Sequence, residues 1–255
     1  VLSLALGGVL QPQRLWPNLL LFGFITVGFG LGGLLLMAFR VLTAARWNDS
    51  FRCVRESMAA TLPWAAPILA VILIAGLSFY PWSKTGALAA ETDWFKRWWL
   101  QPRFFTIRAI AYLVIWVAFA MAMIRASRRE TGQSGPTRTS ARLSAAFLVI
   151  FSVTFWLASN DWIMSLEPTW YSTIFGVYNF GGILLSSQAA VTLLTVWLRQ
   201  RGPLRNLVTP DQLRDLGALL LSYSCLWMYF WFCQFMLIWY TNIPEETSHY
   251  ESRMH

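Results

Sequence analysis

The sequence predicts an all-α fold, a polytopic transmembrane helix bundle, and three observations carry that expectation. Of the 255 residues, 56% are hydrophobic and 13% charged, where a soluble domain carries roughly 25% charged residues. The apolar residues gather in six runs of the length a helix needs, ~20 residues for ~30 Å of hydrocarbon. Those runs are continuous rather than alternating. This excludes barrel strands and leaves the helix as the structure that satisfies its own backbone in lipid.

The six runs lie at about 17–39, 62–80, 104–124, 143–165, 171–198 and 213–241. Residues 1–10 (VLSLALGGVL) are apolar but too short to cross. With no basic stretch ahead of them they do not read as a signal peptide and are expected to end an earlier helix. Residues 1–255 are therefore read as one integral-membrane domain, cut from a longer chain at both ends.

Lys and Arg set the orientation. Arg40, Arg46, Arg52, Arg55, Arg125, Arg128, Arg129, Arg138, Arg142, Arg199, Arg201, Arg205 and Arg214 share one side. Arg14, Lys84, Lys96, Arg97, Arg103, Arg108 and Arg253 fall on the other. By the positive-inside rule the first set is cytoplasmic, so the join between the fourth and fifth spans faces outward. The net charge of +8 is spread over these short loops rather than one face of a soluble element, which argues against nucleic acid. Membrane lipid is the expected surrounding.

Each span has its own signals. The first carries Gly28 and Gly32 as a GxxxG pair, with Gly30 and Gly33 beside it; small residues at this spacing either let helices approach closely or are simply tolerated. The second contains Pro63, acceptable at a helix start, and Pro67, expected to kink. The loop after it holds Trp82, Trp94, Trp98 and Trp99. It reads as an interfacial aromatic belt around a short surface helix, or as a platform for a partner. Residues 127–141, with Gly and Pro, form a polar connection. In the fifth span Asn179, Gly182, Ser186 and Ala190 make one stripe, and Gln188, Thr192 and Thr195 another, so protein is expected on both sides. The sixth opens on Thr209-Pro210-Asp211-Gln212, a capping box with Pro at N1. Its buried Gln234 reads as an interhelical hydrogen-bonding group. Beyond it Asn242 is placed to cap a further helix, with Glu245 at N3.

The residues exclude several chemistries. The two histidines, His249 and His255, lie past the last span, so no span offers an imidazole to a haem iron. The three cysteines, Cys53, Cys225 and Cys233, have no CxxC spacing and read as small apolar packing groups. Phosphate-loop, zinc-hydrolase and nucleophile-elbow motifs are lacking. No metal ligands and no catalytic residues are therefore assigned.

What stands out is a set of carboxylates on the outward side: Asp161, Glu167, Glu245 and Glu246. Asp161 and Glu167 sit in the join at 158–182, between two apolar spans, where a charge costs at least ~2.5–3.5 kcal/mol and needs a reason. Asp161 and Ser165 are i, i+4 neighbours, able to bond along one helix face. One reading makes Asp161, Ser165, Glu167, Glu245 and Glu246 members of a proton path. The other makes Asp161 and Glu167 anchors of an outer turn, paired with an arginine such as Arg103. The residues alone leave both open.

The stretches DWIMSLEP (Asp161 to Pro168), WYSTIFGVY (Trp170 to Tyr178) and QFMLIWYTNIPEET (Gln234 to Thr247) resemble the ActF-type membrane subunit of alternative complex III, a quinol:cytochrome c oxidoreductase of the NrfD/PsrC-like family. RVLTAARW (Arg40 to Trp47) and YPWS (Tyr80 to Ser83) fit as well. The turn position that is often His in that family is Thr169 here. The resemblance implies a ten-helix double four-helix bundle, of which this chain would supply the end of the first helix and the next six. It implies a multi-pass protein of the bacterial inner membrane that packs against a homologous NrfD-like membrane subunit, itself the better candidate for oxidising quinol. It further implies an iron–sulfur subunit and multihaem and monohaem cytochrome c subunits as partners, which hold the haem c and iron–sulfur clusters. Menaquinol or ubiquinol is the implied reductant. Within that family the chain is expected to contribute a proton pathway or to act as a non-conducting scaffold. A solitary transporter would show inverted repeats and broken helices, and no such repeat is evident.

Overall fold

The computed structural model describes residues 12–43, 50–84, 94–130, 135–167, 170–243 and 247. The expectations for residues 1–10, Pro168, Thr169, Glu245, Glu246 and both histidines lie outside the described residues.

Among the described residues eight α-helices are delimited, in order: α1 (Pro12–Leu42), α2 (Arg52–Ala59), α3 (Leu62–Ala75), α4 (Trp94–Trp99), α5 (Pro102–Arg129), α6 (Arg138–Trp162), α7 (Phe175–Arg201) and α8 (Pro210–Thr241). No strand occurs among the described residues. Six segments among these residues are long and apolar enough to cross a membrane, α2 and α3 together counting as one, Arg52–Ala75. The chain is an all-α polytopic bundle.

The second span is displaced from its expected position. It begins at Arg52 and stops at Ala75 rather than running 62–80. Arg52 and Glu56 hide its first turns from a hydropathy reading, yet they pair with each other at 2.6 Å one turn apart. At the other end α3 stops at Ala75 with Gly76 as its C-cap, and further on the residue before Pro81 is pushed to extended backbone. Tyr80 is extended there, with φ −69° and ψ 130°, between two short 3-10 turns at Leu77–Phe79 and Pro81–Ser83. Pro67 lies inside α3 without ending it.

Helix α1 is the hub and packs against α2, α3, α6 and α7. Its glycines explain how so many neighbours fit. A Cβ on Gly32 would stand 1.6 Å from Ser187 Oγ of α7, and one on Gly33 would stand 2.7 Å from the Ala59 amide nitrogen of α2. Gly28 meets Ile183, one turn before Ser187. The GxxxG pair is thus a contact surface for α7. In lipid such close approach substitutes for the hydrophobic effect, which has little to act on between helices.

The core between α1, α3, α5 and α6 is mainly aliphatic on its α1–α3 side and rich in aromatic rings on its α5–α6 side. Phe147, Phe151 and Phe155 recur every fourth residue of α6, with ring centroids 5.4 and 5.1 Å apart. Trp116 of α5 meets Phe155 and Trp162. At the Arg-rich end α5 and α6 are tied by Glu130, whose carboxylate accepts from the Thr137 amide at 2.7 Å and hydroxyl at 2.6 Å. Thr137 in turn caps α6, accepting from the Ser140 amide.

Helix α8 begins as expected. Thr209 and Gln212 form the full capping box with Pro210 in the first turn. It ends at Asn242, in left-handed backbone with φ 48°; Asn242 therefore closes α8, a conformation Asn tolerates better than most residues. Apart from its contact with α7, α8 shows little cover: 6% of its most apolar stretch is buried, against 67% for α1. The stripes expected on α7 divide unequally. Gln188 and Thr195 are buried, whereas Ser186 is exposed. Cys53 and Cys225 are exposed and Cys233 half-buried, so none serves as core packing.

Candidate functional site

The join between α6 and α7 builds a site around Asp161. Helix α6 ends at Trp162, not at Leu166, and a 3-10 turn, Met164–Leu166, follows. Asp161 thus lies in the last turn of a helix and is 2% exposed. Arg108, in the second turn of α5, is 7% exposed and faces it.

The pairing is bidentate. Arg108 Nε donates to Asp161 Oδ2 at 3.1 Å, and an Arg108 Nη donates to Oδ1 at 3.0 Å. The planar fork of a guanidinium matches the two carboxylate oxygens, which gives this pair direction as well as charge. Trp99 Nε1 donates to Oδ1 at 2.7 Å. The Tyr112 hydroxyl, one helical turn along from Arg108, reaches Oδ2 at 3.5 Å. Both oxygens are therefore satisfied, as a buried carboxylate requires.

Arg108 has further partners. Its remaining Nη donates to the Trp99 carbonyl at 2.8 Å. Its guanidinium lies 4.0 Å from the Trp99 ring centroid and 4.4 Å from that of Phe104. Aromatic faces attract a cation, more strongly when water is excluded. Trp99 is consequently held three ways, and through it α4 is fastened to the bundle.

The YPWS stretch supports the site from beneath. The Tyr80 hydroxyl, wholly buried, donates to the Trp162 carbonyl at 2.8 Å, next in sequence to Asp161. Burial, with Asp161 nearby, pushes the Tyr80 phenol far above its ordinary range, so it stays a neutral donor. The Tyr80 ring packs on Trp82, Phe105 and Trp16.

The expected site residues separate. The Ser165 hydroxyl donates to the Asp161 backbone carbonyl at 2.5 Å, not to its carboxylate. Glu167 is exposed, just past the 3-10 turn. Arg103 is exposed, and Arg108 takes the place considered for it. Of the four tryptophans between α3 and α5, Trp82 is core, Trp99 donates to Asp161, and Trp94 and Trp98 are 71% and 48% exposed. Sequence reasoning missed Arg108, Tyr112 and Tyr80. A signal for Arg108 exists, since it lies inside the apolar run 104–124, where a charge needs a partner.

Three polar atoms beside Asp161 are also buried: Ser159 Oγ, Asn160 Oδ1 and Trp162 Nε1 have no hydrogen-bond partner among the described residues. No cluster of three or more His, Cys, Asp or Glu side chains occurs among those residues either. A groove of about 400 Å3 between α3 and α5 is lined by apolar side chains alone, so it offers no side-chain donor or acceptor to a quinol headgroup.

No protein-family model matches the chain, and a search of curated proteins finds no match.

Proposed function

We propose that this integral-membrane chain is a subunit of a quinol:cytochrome c-type electron-transfer complex of a bacterial cytoplasmic membrane, packed against a homologous quinol-oxidising subunit, and that its part is to anchor the peripheral haem and iron–sulfur subunits. The resemblance at DWIMSLEP, WYSTIFGVY and QFMLIWYTNIPEET supports the complex. One observation carries the anchoring role: a fully bonded Asp161–Arg108 pair fixes Trp99, while Trp94 and Trp98 on the same short helix stand exposed. Exposed aromatics on a rigid support are what binding hot spots are made of. Scaffold and quinol chemistry are then divided between two homologous subunits, with the haem and iron–sulfur groups held by the partners.

Purification from native membrane in mild detergent, with haem and iron assays and subunit masses, tests the first part. Co-purifying multihaem cytochrome and iron–sulfur subunits are the expected result; a lone colourless protein overturns it. Trp94→Ala with Trp98→Ala tests the second. The membrane subunits should stay together while the outer subunits dissociate; full retention of the outer subunits sinks the anchoring role.

A second reading makes Asp161 part of a proton path. It is favoured by the unpartnered Ser159, Asn160 and Trp162 atoms, since buried polar groups of this kind recruit internal water. Asp161→Asn in an assembled complex should then slow proton-coupled turnover, and unchanged turnover eliminates the reading.

A further inference from the structure

The groove between α3 and α5 has an occupant its chemistry can identify. One wall is Pro63, Ala66, Pro67 and Ala70 of α3, at i, i+3, i+4 and i+7, so a single face carries only small side chains and proline rings. The facing wall is α5, with Val114, Ala118 and Met121 among its residues. Both walls belong to membrane-crossing segments.

The volume, about 400 Å3, lies at the lower end of ligand pockets, which run ~300–1,000 Å3. A helix ~10–12 Å across needs as much for each ~5.4 Å turn. The groove therefore suits a hydrocarbon chain and is too small to seat a helix of any length. A headgroup with hydrogen-bonding atoms has no side-chain partner within it.

Charge decides which chain-bearing molecule. On α5 the stripe through Val114, Ala118 and Met121 continues to Arg125 and Arg128. These stand ~6 and ~10 Å further along the axis on the same face. Both are exposed, and neither has an ion-pair partner among the described residues. The carboxylates of the neighbouring elements are engaged elsewhere. Glu56 of α2 is bonded by Arg52 and by the Ser127 hydroxyl, and Glu130 is bonded by Thr137. The groove thus opens, at its basic end, onto two uncompensated guanidinium groups in the last turns of a membrane-crossing segment, where the headgroups of a bilayer begin. Basic sites between helices at such a depth hold anionic lipid.

We propose that the α3–α5 groove seats one anionic phospholipid, with an acyl chain along Ala66, Ala70 and Ala118 and its phosphate on Arg125, Arg128 lying one turn beyond. The proposal stands apart from the electron-transfer reading and requires only that the chain crosses a membrane.

Spin-labelled phosphatidylglycerol and phosphatidylcholine, each labelled near the chain end, provide the test with the full protein in detergent-free bilayers. The expected result is an immobilised phosphatidylglycerol component of about one lipid per protein, preferred over phosphatidylcholine. Arg125→Gln, an exposed change that leaves the groove intact, should lower that preference about fivefold, the equivalent of one basic residue at a membrane surface. Ala118→Phe, which fills the groove from an exposed position, should abolish the immobilised component. Val153→Phe on the exposed face of α6 should leave it unchanged. Equal immobilisation of the two lipids overturns the headgroup assignment. An immobilised component that survives Ala118→Phe overturns the seat. Cross-linking of a second helix onto Ala118 in the bilayer overturns it too, because the groove would then hold protein.

Discussion

Arg108 and Asp161 are 53 residues apart in sequence and meet through two hydrogen bonds of 3.0 and 3.1 Å in a place almost closed to solvent. Each comes from a different crossing helix, and each has aromatic neighbours that complete its shell. The pair closes the Asp161 end of the α5–α6 hairpin, and Glu130 closes the other. The two ends will respond differently to substitution.

Removing either partner of the buried pair leaves a charge without its counter-ion. Arg108→Met should destabilise the protein by ~3–5 kcal/mol, the usual cost of stranding one member of such a pair. Replacing both, Arg108→Met with Asp161→Leu, should recover much of that loss. Thermal unfolding in detergent, followed by circular dichroism, measures both variants. A double variant no more stable than the single one contradicts the account.

Trp99 should matter through one atom. Trp99→Phe keeps an aromatic face for Arg108 but removes the donor to Asp161 Oδ1. A hydrogen bond to a charged group contributes ~1.5–3 kcal/mol. The expected consequence is faster hydrogen exchange in α4 with little change in the other helices. Uniform exchange rates across variant and parent would show that α4 is held by something else.

Gly32 allows α1 to touch α7. Gly32→Ala places a methyl against Ser187, and overpacking of this kind costs ~1–3 kcal/mol. Adding Ser187→Gly removes the obstructing atoms and should restore stability. Unfolding midpoints of the single and double variants decide the matter, since a Gly32→Ala protein as stable as the parent means the helices do not approach this closely.

Glu130 gives a pH dependence outside the membrane-crossing segments. Burial pushes its carboxyl up, but hydrogen bonds from the Ser140 and Thr137 hydroxyls and the Thr137 amide, with Arg40 nearby, outweigh this and hold it below the usual carboxylate range. A lowered folded-state value means its contribution is fully present above the ordinary ~4.3. That contribution is lost as pH falls through the lower folded value. Glu130→Gln should therefore reduce stability near neutral pH and show a smaller further loss on acidification than the parent. Parallel pH profiles for the two proteins would remove Glu130 from the α5–α6 tie.

The order and number of spans and the capping box at Thr209 were determined by the sequence alone, because each rests on neighbours within a few turns; the GxxxG pair in α1 was visible there, but its contact with α7 was decided by packing. Helical period and cap chemistry are local properties, readable along one strand of residues. Singling out Asp161 was equally local, since a carboxylate between two apolar runs needs a reason wherever the chain goes.

The reason itself was decided by the tertiary structure. In the linear pattern Arg108 is one of the seven basic residues on the outward side, and Arg103, five residues earlier and exposed, is the arginine that pattern offers to Asp161. Nothing in the linear pattern fixes how far α5 slides along α6, and that register selects which arginine faces the carboxylate. The first turns of α2 were hidden for a related reason: Arg52 and Glu56 look too polar for a span until they neutralise each other. Sequence determines which groups must find partners; the packing of helices against one another in a medium without water decides which partners they find.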